Sequence, residues 1–295
     1  ETQSKLSIWL AATRPKTLAA GFAPVLIGTA LAQHDGTLFW PAAITCFLGA
    51  MFIQIGTNFA NDYFDFVKGA DTDERKGPTR ATASGLVKPG TMKLAFSFAF
   101  FLAFICTLYL TWHAGLVMLL ILLVSIVCGI LYTGGPFPLG YNGLGDPFAF
   151  IFFGPVATAA TYYCQANNFE LPVEAIIAGL GPGFFSVAMI GVNNLRDIET
   201  DKKAGKRTLA VLLGEKFARV EYLLAIIGGL IIPIIIFSRL NCSPYIFLSY
   251  LFLIPCIPSI RLVLKESGSK LNKALALTGA QLIIYSVFLS VGLVL

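Results

Sequence analysis

Residues 41–65 read PAAITCFLGAMFIQIGTNFANDYFD, an apolar run that ends in Asn61 and Asp65. The run contains no charged residue before Asp62. A helix that crosses a bilayer needs roughly 20 predominantly apolar residues, and this run is long enough. It therefore predicts a membrane-spanning helix whose last turn carries oxygen-bearing side chains.

The rest of the chain has the same apolar character. Hydrophobic residues make up 56% of the sequence, charged residues only 13%, and the mean hydropathy is +0.77. A soluble domain carries about 25% charged residues, so this composition excludes that class. The predicted fold is all-α, a polytopic membrane protein with nine transmembrane helices in one domain over residues 1–295. The predicted spans are 17–33, 41–62, 94–112, 114–133, 143–165, 174–195, 220–238, 243–260 and 274–294.

Basic residues are distributed unequally between the two sides of these spans. With nine spans, 20 of the 21 Lys and Arg residues share one side with the N-terminus, and only Arg239 lies on the other. Cytoplasmic loops carry the positive excess, so this side is predicted to face the cytoplasm. The expected location of the chain is the plasma (inner) membrane of a bacterium. The first span has no clear cleavage site and is expected to be retained. The net charge of +5 then gives no reason to expect a nucleic-acid partner.

Two polar motifs end the second and sixth spans. Asn61-x-x-x-Asp65 matches Asn193-x-x-x-Asp197-x-x-x-Asp201, and residues four apart share one helix face. Carboxylates at a helix C-terminus face the negative end of its dipole, a cost that a bound cation would offset. Oxygen ligands favour a hard cation, and Mg²⁺ bridges a few carboxylates to substrate phosphates. The motifs predict a Mg²⁺ site, although an isolated loop carboxylate is equally explained by solvation.

Basic residues follow each motif. Arg80, Lys202, Lys206 and Arg207 are candidates for binding diphosphate oxygens. The positive-inside excess alone accounts for about half of such residues. A polar site at the end of an apolar helical bundle suits a diphosphate head with a long apolar tail, and a polyprenyl diphosphate in membrane lipid has this form.

Four strings in this sequence resemble the UbiA superfamily of intramembrane prenyltransferases, and within it the 1,4-dihydroxy-2-naphthoate polyprenyltransferases. The resemblance spans nearly the whole chain. The strings are Arg14-Pro-Lys16-Thr17, NFANDYFDFVKGADTDERKGPTRATASG at 58–85, LYTGGPFPLGYNGLGD at 131–146, and NNLRDIETDKKAGKRTLAVLLG at 193–214.

The resemblance implies that the helices surround a central cavity capped by cytoplasmic loops. It also implies that Asn61 and Asp65 hold one Mg²⁺, that Asp197 and Asp201 hold the other, and that the diphosphate lies between them. One position departs from the family pattern.

A third acidic residue is expected at position 69, where Gly69 stands. Asp71 is the candidate replacement, and otherwise the first cation has fewer protein ligands. Asp62 is expected to pair with a basic residue or with Gln54 and Asn58.

Further side chains are candidates for contact with the substrates. Tyr132 could line the aromatic acceptor site or stabilise an allylic cation through its ring, and an interfacial anchor is the alternative. The candidates for the acceptor and substrate cavity are Lys16, Gln54, Asn58 and Asn193.

For the naphthoate branch, the resemblance implies attack of the prenyl cation on the ring carbon that bears the carboxylate, with loss of CO₂. The product is of the demethylmenaquinone type. Another aromatic acceptor such as 4-hydroxybenzoate is the first alternative. A secondary transporter with repeated halves is the second, although its polar site would lie in mid-bilayer.

Overall fold

The computed structural model describes residues 4–70, 76–166 and 169–295, and this part of the chain is helical without a strand. The α-helices are α1 (Lys5–Ala12), α2 (Pro15–His34), α3 (Trp40–Val67), α4 (Pro89–Ala114), α5 (Leu116–Leu131), α6 (Gly145–Ile151), α7 (Ala157–Tyr163), α8 (Val173–Lys203), α9 (Leu209–Leu213), α10 (Glu215–Arg239), α11 (Leu253–Lys265) and α12 (Leu271–Val294). A π-helical turn, Phe152–Val156, joins α6 to α7, and 3-10 turns occur at Leu139–Tyr141, Pro244–Phe252 and Gly268–Lys270.

Seven described helical segments are long and apolar enough to cross a membrane. They coincide with seven of the nine predicted spans, and they confirm an all-helical membrane fold. The segments are Pro15–His34, Trp40–Val67, Pro89–Ala114, Val173–Lys203, Glu215–Arg239, Pro244–Lys265 and Gly268–Val294.

The other two predicted spans are shorter or interrupted, so the count of nine stays a prediction. Gly115 adopts a positive φ of 88° directly after α4, and α5 has only 16 residues. The span 143–165 is broken where Gly154 leaves helical geometry and Pro155 contributes no N–H. Such a break is tolerated at membrane depth where neighbouring helices cover the backbone.

The break in this span is covered by α8. A Cβ on Gly179 would lie 2.6 Å from the Cα of Pro155, and a Cβ on Gly154 would lie 2.7 Å from the carbonyl oxygen of Gly179. Only glycine at both positions allows the two backbones to approach so closely. Helix α8 is thereby held against the α6–α7 segment.

Helices α3 and α8 are longer than a bilayer requires. Their 28 and 31 residues correspond to roughly 42 and 46 Å at 1.5 Å per residue, against a hydrocarbon core of about 30 Å. The polar motifs occupy the last turns of these two helices. The excess length therefore carries both motifs to the same end of the helix bundle.

Candidate active site

A polar cavity lies between the C-terminal ends of α3 and α8, and we call it the polar chamber. Both motifs line it, so the structure brings together the two columns that sequence spacing predicts. The lining residues are Arg14, Asn61, Asp65, Arg80, Tyr132, Thr133, Gly140, Tyr141, Ile190, Asn193, Asn194, Arg196, Asp197, Asp201, Lys206 and Thr208.

Asp65 is the most buried carboxylate of the chamber, with an exposure of 1%. One oxygen, Oδ2, accepts a hydrogen bond from Arg80 Nη2 at 3.1 Å. The other, Oδ1, accepts from the Tyr141 hydroxyl at 2.6 Å and from Lys206 Nζ at 3.2 Å. Two of the predicted diphosphate-binding cations thus meet at this carboxylate.

The neighbouring ligand candidate on α3 is also held in place. Thr133 Oγ1 donates a hydrogen bond to Asn61 Oδ1 at 2.8 Å, and both side chains are buried. Because the amide oxygen is the acceptor in this bond, the contact sets the orientation of the Asn61 side chain.

On the opposite wall, Asp197 is engaged by the adjacent Arg196. Nε and Nη2 of Arg196 donate to the two carboxylate oxygens at 2.8 and 2.6 Å, a bidentate pair. Nη1 of the same guanidinium donates to Asn272 Oδ1 at 2.8 Å, and Asn272 Nδ2 donates to the Lys76 carbonyl at 3.0 Å. Arg196 therefore links the Asp197 wall to α12 and to the segment that follows α3.

The glycine at position 69, where the family pattern has an acidic residue, adopts a left-handed backbone conformation. Gly69 has a φ of 66°, and it ends α3 with bonds from its own N–H to the Phe66 carbonyl and from the Ala70 N–H to the Asp65 carbonyl. This is the glycine-terminated C-cap, in which a residue with a Cβ would be strained. Helix α3 ends at Val67, so the helical column of ligand candidates ends at Asp65, and Asp71 lies outside the described residues.

Asp62 has a different role from the one expected. Its Oδ2 and Oδ1 accept hydrogen bonds from the backbone N–H groups of Ala81 and Thr82, both at 3.0 Å. The prediction that Asp62 pairs with a basic residue or with Gln54 and Asn58 is wrong. Asp62 lies 100° around the helix from Asn61 and faces the loop after α3, whose buried N–H groups require an acceptor.

Gln54 and Asn58 fasten the junction of α1 and α2 instead of lining the chamber. Asn58 Nδ2 donates to the Thr13 carbonyl at 2.8 Å and to Thr17 Oγ1 at 3.2 Å, while Gln54 Nε2 approaches the Thr17 carbonyl at 3.5 Å. The nearby Arg14, which lines the chamber, has the positive φ of 53°. Strained residues of this kind cluster at functional sites.

Three other candidates lie outside the chamber lining. Lys16, Lys202 and Arg207 are exposed, and the backbone N–H of Arg207 donates to the Tyr141 carbonyl at 2.8 Å. The predicted residues that the chamber does bring together are Asn61, Asp65, Arg80, Tyr132, Asn193, Asp197, Asp201 and Lys206.

An apolar cavity of about 130 Å³ adjoins the chamber. Its walls come from α2 to α7 and include Ile53, Met118 and Phe152. Tyr132 lines both cavities, so its ring stands where the polar chamber meets the apolar cavity. Gly145 leaves room for this ring, because a Cβ there would lie 2.9 Å from the Tyr132 hydroxyl.

Several chamber residues have no role predicted from the sequence. They are Arg14, Thr133, Tyr141, Asn194 and Arg196. All lie in or directly beside the strings quoted for the family resemblance, and that is the signal that could have identified them. Thr133 and Tyr141 follow α5 in a segment without helical periodicity, which spacing arguments do not reach.

Lys68 is a cation close enough to the chamber for the charges of Asp65 and Lys206 to change its pKa. Burial lowers the pKa of the Lys68 ammonium, and the nearby charge of Lys206 acts in the same direction, while Asp65 opposes both. Lys68 Nζ donates to the carbonyls of Thr133 at 2.6 Å and Gly135 at 3.3 Å. Its charge is thus used to hold the segment after α5.

The donor set fits Mg²⁺ bound together with a substrate. Within residues 4–70, 76–166 and 169–295, no group of three or more His, Cys, Asp or Glu side chains forms a closed metal cage. The chamber instead presents carboxylates and amides on two facing walls. Mg²⁺ is commonly held by one or two carboxylates, with water and substrate phosphates completing its coordination.

The chain matches a known protein family over most of its length. The model of the UbiA prenyltransferase family matches residues 21–287. A 1,4-dihydroxy-2-naphthoate octaprenyltransferase of Haemophilus influenzae is 32% identical over 99% of this chain and 97% of its own length. The enzyme of the same name from Escherichia coli is 38% identical over 77% of this chain and 75% of its own.

Solved structures share the fold. A UbiA homolog from Aeropyrum pernix superposes with a TM-score of 0.70 at 14% identity, covering 92% of this chain and 97% of its own. A UbiA homolog from Archaeoglobus fulgidus bound to GPP and Mg²⁺ has a TM-score of 0.66 at 14% identity, covering 96% and 99%. At these identities the likeness concerns the fold alone.

Proposed function

Because this chain belongs to the UbiA prenyltransferase family, we propose that it transfers a polyprenyl group from a polyprenyl diphosphate to 1,4-dihydroxy-2-naphthoate. CO₂ and diphosphate leave, and the product is a demethylmenaquinone of menaquinone biosynthesis. The observation that carries the proposal is the joining of the polar chamber to the apolar cavity at Tyr132. A diphosphate head with a long apolar tail requires such a pair of compartments.

The chamber binds the diphosphate head in this proposal. Arg80 and Lys206 supply cationic donors beside Asp65. Asn61 and Asp65 on α3, with Asp197 and Asp201 on α8, are the oxygen donors proposed for two Mg²⁺ ions. When bound, Mg²⁺ withdraws charge from a leaving diphosphate.

The apolar cavity receives the prenyl tail and excludes water. The face of the Tyr132 ring, at the mouth of this cavity, stabilises positive charge that develops on the allylic carbon. Because the walls beyond Tyr132 are apolar, the cation is kept from hydrolysis until the aromatic ring attacks. Asn193 lines the same chamber as Tyr132 and is the proposed polar contact for the acceptor.

The choice of acceptor rests on the relatives, because five of them are named 1,4-dihydroxy-2-naphthoate octaprenyltransferases. The polar end of the bundle, with its basic loops, is proposed to face the cytoplasm from the bacterial inner membrane. Residues 1–295 are proposed to form one prenyltransferase domain. A transporter is not supported, since the family is that of prenyltransferases and the carboxylates lie at the helix ends.

Prenyl transfer by the purified protein in lipid nanodiscs tests the proposal. The assay combines a polyprenyl diphosphate, 1,4-dihydroxy-2-naphthoate and Mg²⁺, and it measures prenylated product together with released CO₂. Asp65→Asn and Asp197→Asn preserve side-chain volume and remove the charge. The matched control is Asp35→Asn. The Asp35 carboxylate lies outside the chamber lining and accepts a hydrogen bond of 2.5 Å from the Tyr162 hydroxyl.

The expected result is stoichiometric product and CO₂ in the wild type and in the control variant, with loss of product in the two chamber variants. Turnover of 4-hydroxybenzoate without turnover of the naphthoate would keep the chemistry and reject the acceptor. Full activity in both chamber variants would reject the assignment of the chamber as the active site.

A further inference from the structure

Tyr141 is held at the polar chamber from three directions. Its hydroxyl donates to Asp65 Oδ1 at 2.6 Å, and its carbonyl accepts from the Arg207 N–H at 2.8 Å. The ammonium groups of Lys68 and Lys206 lie 4.9 and 4.7 Å from the centre of its ring. One side chain thus contacts a ligand candidate on α3 and two of the nearby cations.

The segment that carries Tyr141 is anchored by further hydrogen bonds. Lys68 Nζ holds the carbonyls of Thr133 and Gly135, and the Asn142 side chain donates to the Pro138 carbonyl at 2.8 Å. The phenol therefore reaches Asp65 from a preformed turn, and no further ordering of the segment is needed for the bond.

We propose that Tyr141 is a positioning residue, which aims the Asp65 carboxylate at a Mg²⁺–diphosphate complex and holds Lys206 over the chamber. The inference rests on the proposed function and adds to it a residue that neither wall motif contains. Tyr141 contacts Asp65 and Lys206, and its proposed role is exerted through these two side chains.

The chemistry of a phenol suits this task better than that of a second cation. Lys206 and Arg80 bind Asp65 as charged groups, and each competes electrostatically with a divalent cation for the same carboxylate. A neutral hydroxyl orients the carboxylate and leaves its charge available. Such hydrogen bonds to ligating carboxylates typically contribute 10- to 100-fold to metal affinity or activity.

Tyr141→Phe separates the two contacts of this side chain, because it removes the hydroxyl and keeps the ring beside Lys68 and Lys206. Tyr162→Phe is the matched control. The Tyr162 hydroxyl also donates to a carboxylate, Asp35 Oδ2, at 2.5 Å. Neither Tyr162 nor Asp35 lines the chamber. Tyr141→Leu removes the ring as well and reports the contact with Lys206.

Two readouts are needed. The first is the Mg²⁺ concentration that gives half-maximal prenyl transfer, measured beside KM for the aromatic acceptor. The second requires no turnover: the rise in Tm of the purified protein when inorganic pyrophosphate is titrated at a series of Mg²⁺ concentrations. We expect the half-saturating Mg²⁺ concentration to increase about tenfold in Tyr141→Phe in both readouts, with the acceptor KM unchanged.

Tyr162→Phe should match the wild type in both readouts, and Tyr141→Leu should weaken pyrophosphate binding beyond the Phe variant. Overlapping Mg²⁺ curves for Tyr141→Phe and wild type would overturn the inference. A lower kcat for Tyr141→Phe at an unchanged half-saturating Mg²⁺ concentration would also overturn it. The same holds if Tyr162→Phe increases the half-saturating Mg²⁺ concentration as much as Tyr141→Phe does. If the wild type does not prenylate the naphthoate, the proposed function fails, while the pyrophosphate titration still decides the role of Tyr141.

Discussion

Asp62→Asn should weaken binding of the prenyl diphosphate, although Asp62 does not line the chamber. The Asp62 carboxylate, 2% exposed, accepts the N–H groups of Ala81 and Thr82 at 3.0 Å each. An amide offers one acceptor oxygen and turns an NH₂ toward the other backbone donor, so at least one bond is lost. A hydrogen bond to a charged group contributes about 1.5–3 kcal/mol, which corresponds to roughly 10- to 150-fold in an equilibrium constant.

That loss acts on the proposed diphosphate site, because Arg80 precedes Ala81 in the chain and binds the Asp65 carboxylate in the chamber lining. We expect KM for the prenyl diphosphate to rise within this range and KM for the aromatic acceptor to stay constant. Steady-state kinetics in nanodiscs measure both constants. Limited proteolysis within residues 76–88 reports whether the loop has been released from α3.

Asp35→Asn is the control, because Asp35 accepts a hydrogen bond from Tyr162 outside the chamber. An unchanged KM for the diphosphate together with unchanged protease protection would refute the reasoning, since the loop would then be held by other contacts. An equal increase of both KM values would also contradict it, because that pattern indicates general loss of structure.

Three substitutions and the removal of Mg²⁺ by a chelator extend these tests. Gly145→Ala would place a Cβ 2.9 Å from the Tyr132 hydroxyl and displace the ring, so kcat should fall by up to about 100-fold at a similar KM for the prenyl diphosphate. Gly28→Ala would bring a Cβ within 2.6 Å of the Thr158 carbonyl, and overpacking of about 1–3 kcal/mol should lower the Tm measured in detergent. Met118→Trp should fill part of the apolar cavity and shift preference toward shorter prenyl tails, measured by competition between diphosphates of different length. A chelator should abolish transfer and added Mg²⁺ should restore it, whereas transfer that persists after complete chelation would contradict the metal assignment.

The membrane class and the two ligand columns were readable from local features of the chain. Hydropathy over about 20 residues reports a span, and a spacing of four places Asp197 and Asp201 on one face wherever α8 lies. Both signals depend only on residues that lie within a few helical turns of one another. The extra length of α3 and α8, which brings the motifs to one end, is likewise local.

Other features depend on contacts between residues far apart in sequence. The partners of Asp62 could not be predicted from the sequence, because they are backbone N–H groups of a distant loop, which carry no side-chain signal. Tyr141 lies 76 residues from Asp65, in a turn whose path depends on Lys68 and on glycines with positive φ. Neither hydropathy nor periodicity encodes such a path.

The amino-acid sequence determined that apolar helices end in two carboxylate columns, because burial in lipid and the 3.6-residue repeat act over short stretches. Tertiary structure decided which side chains meet those columns. It also placed Tyr132 between the polar chamber and the apolar cavity, and it broke the span at Gly154 so that α8 could pack there. These outcomes follow from packing between helices, where the free energy depends on shape complementarity across the whole bundle.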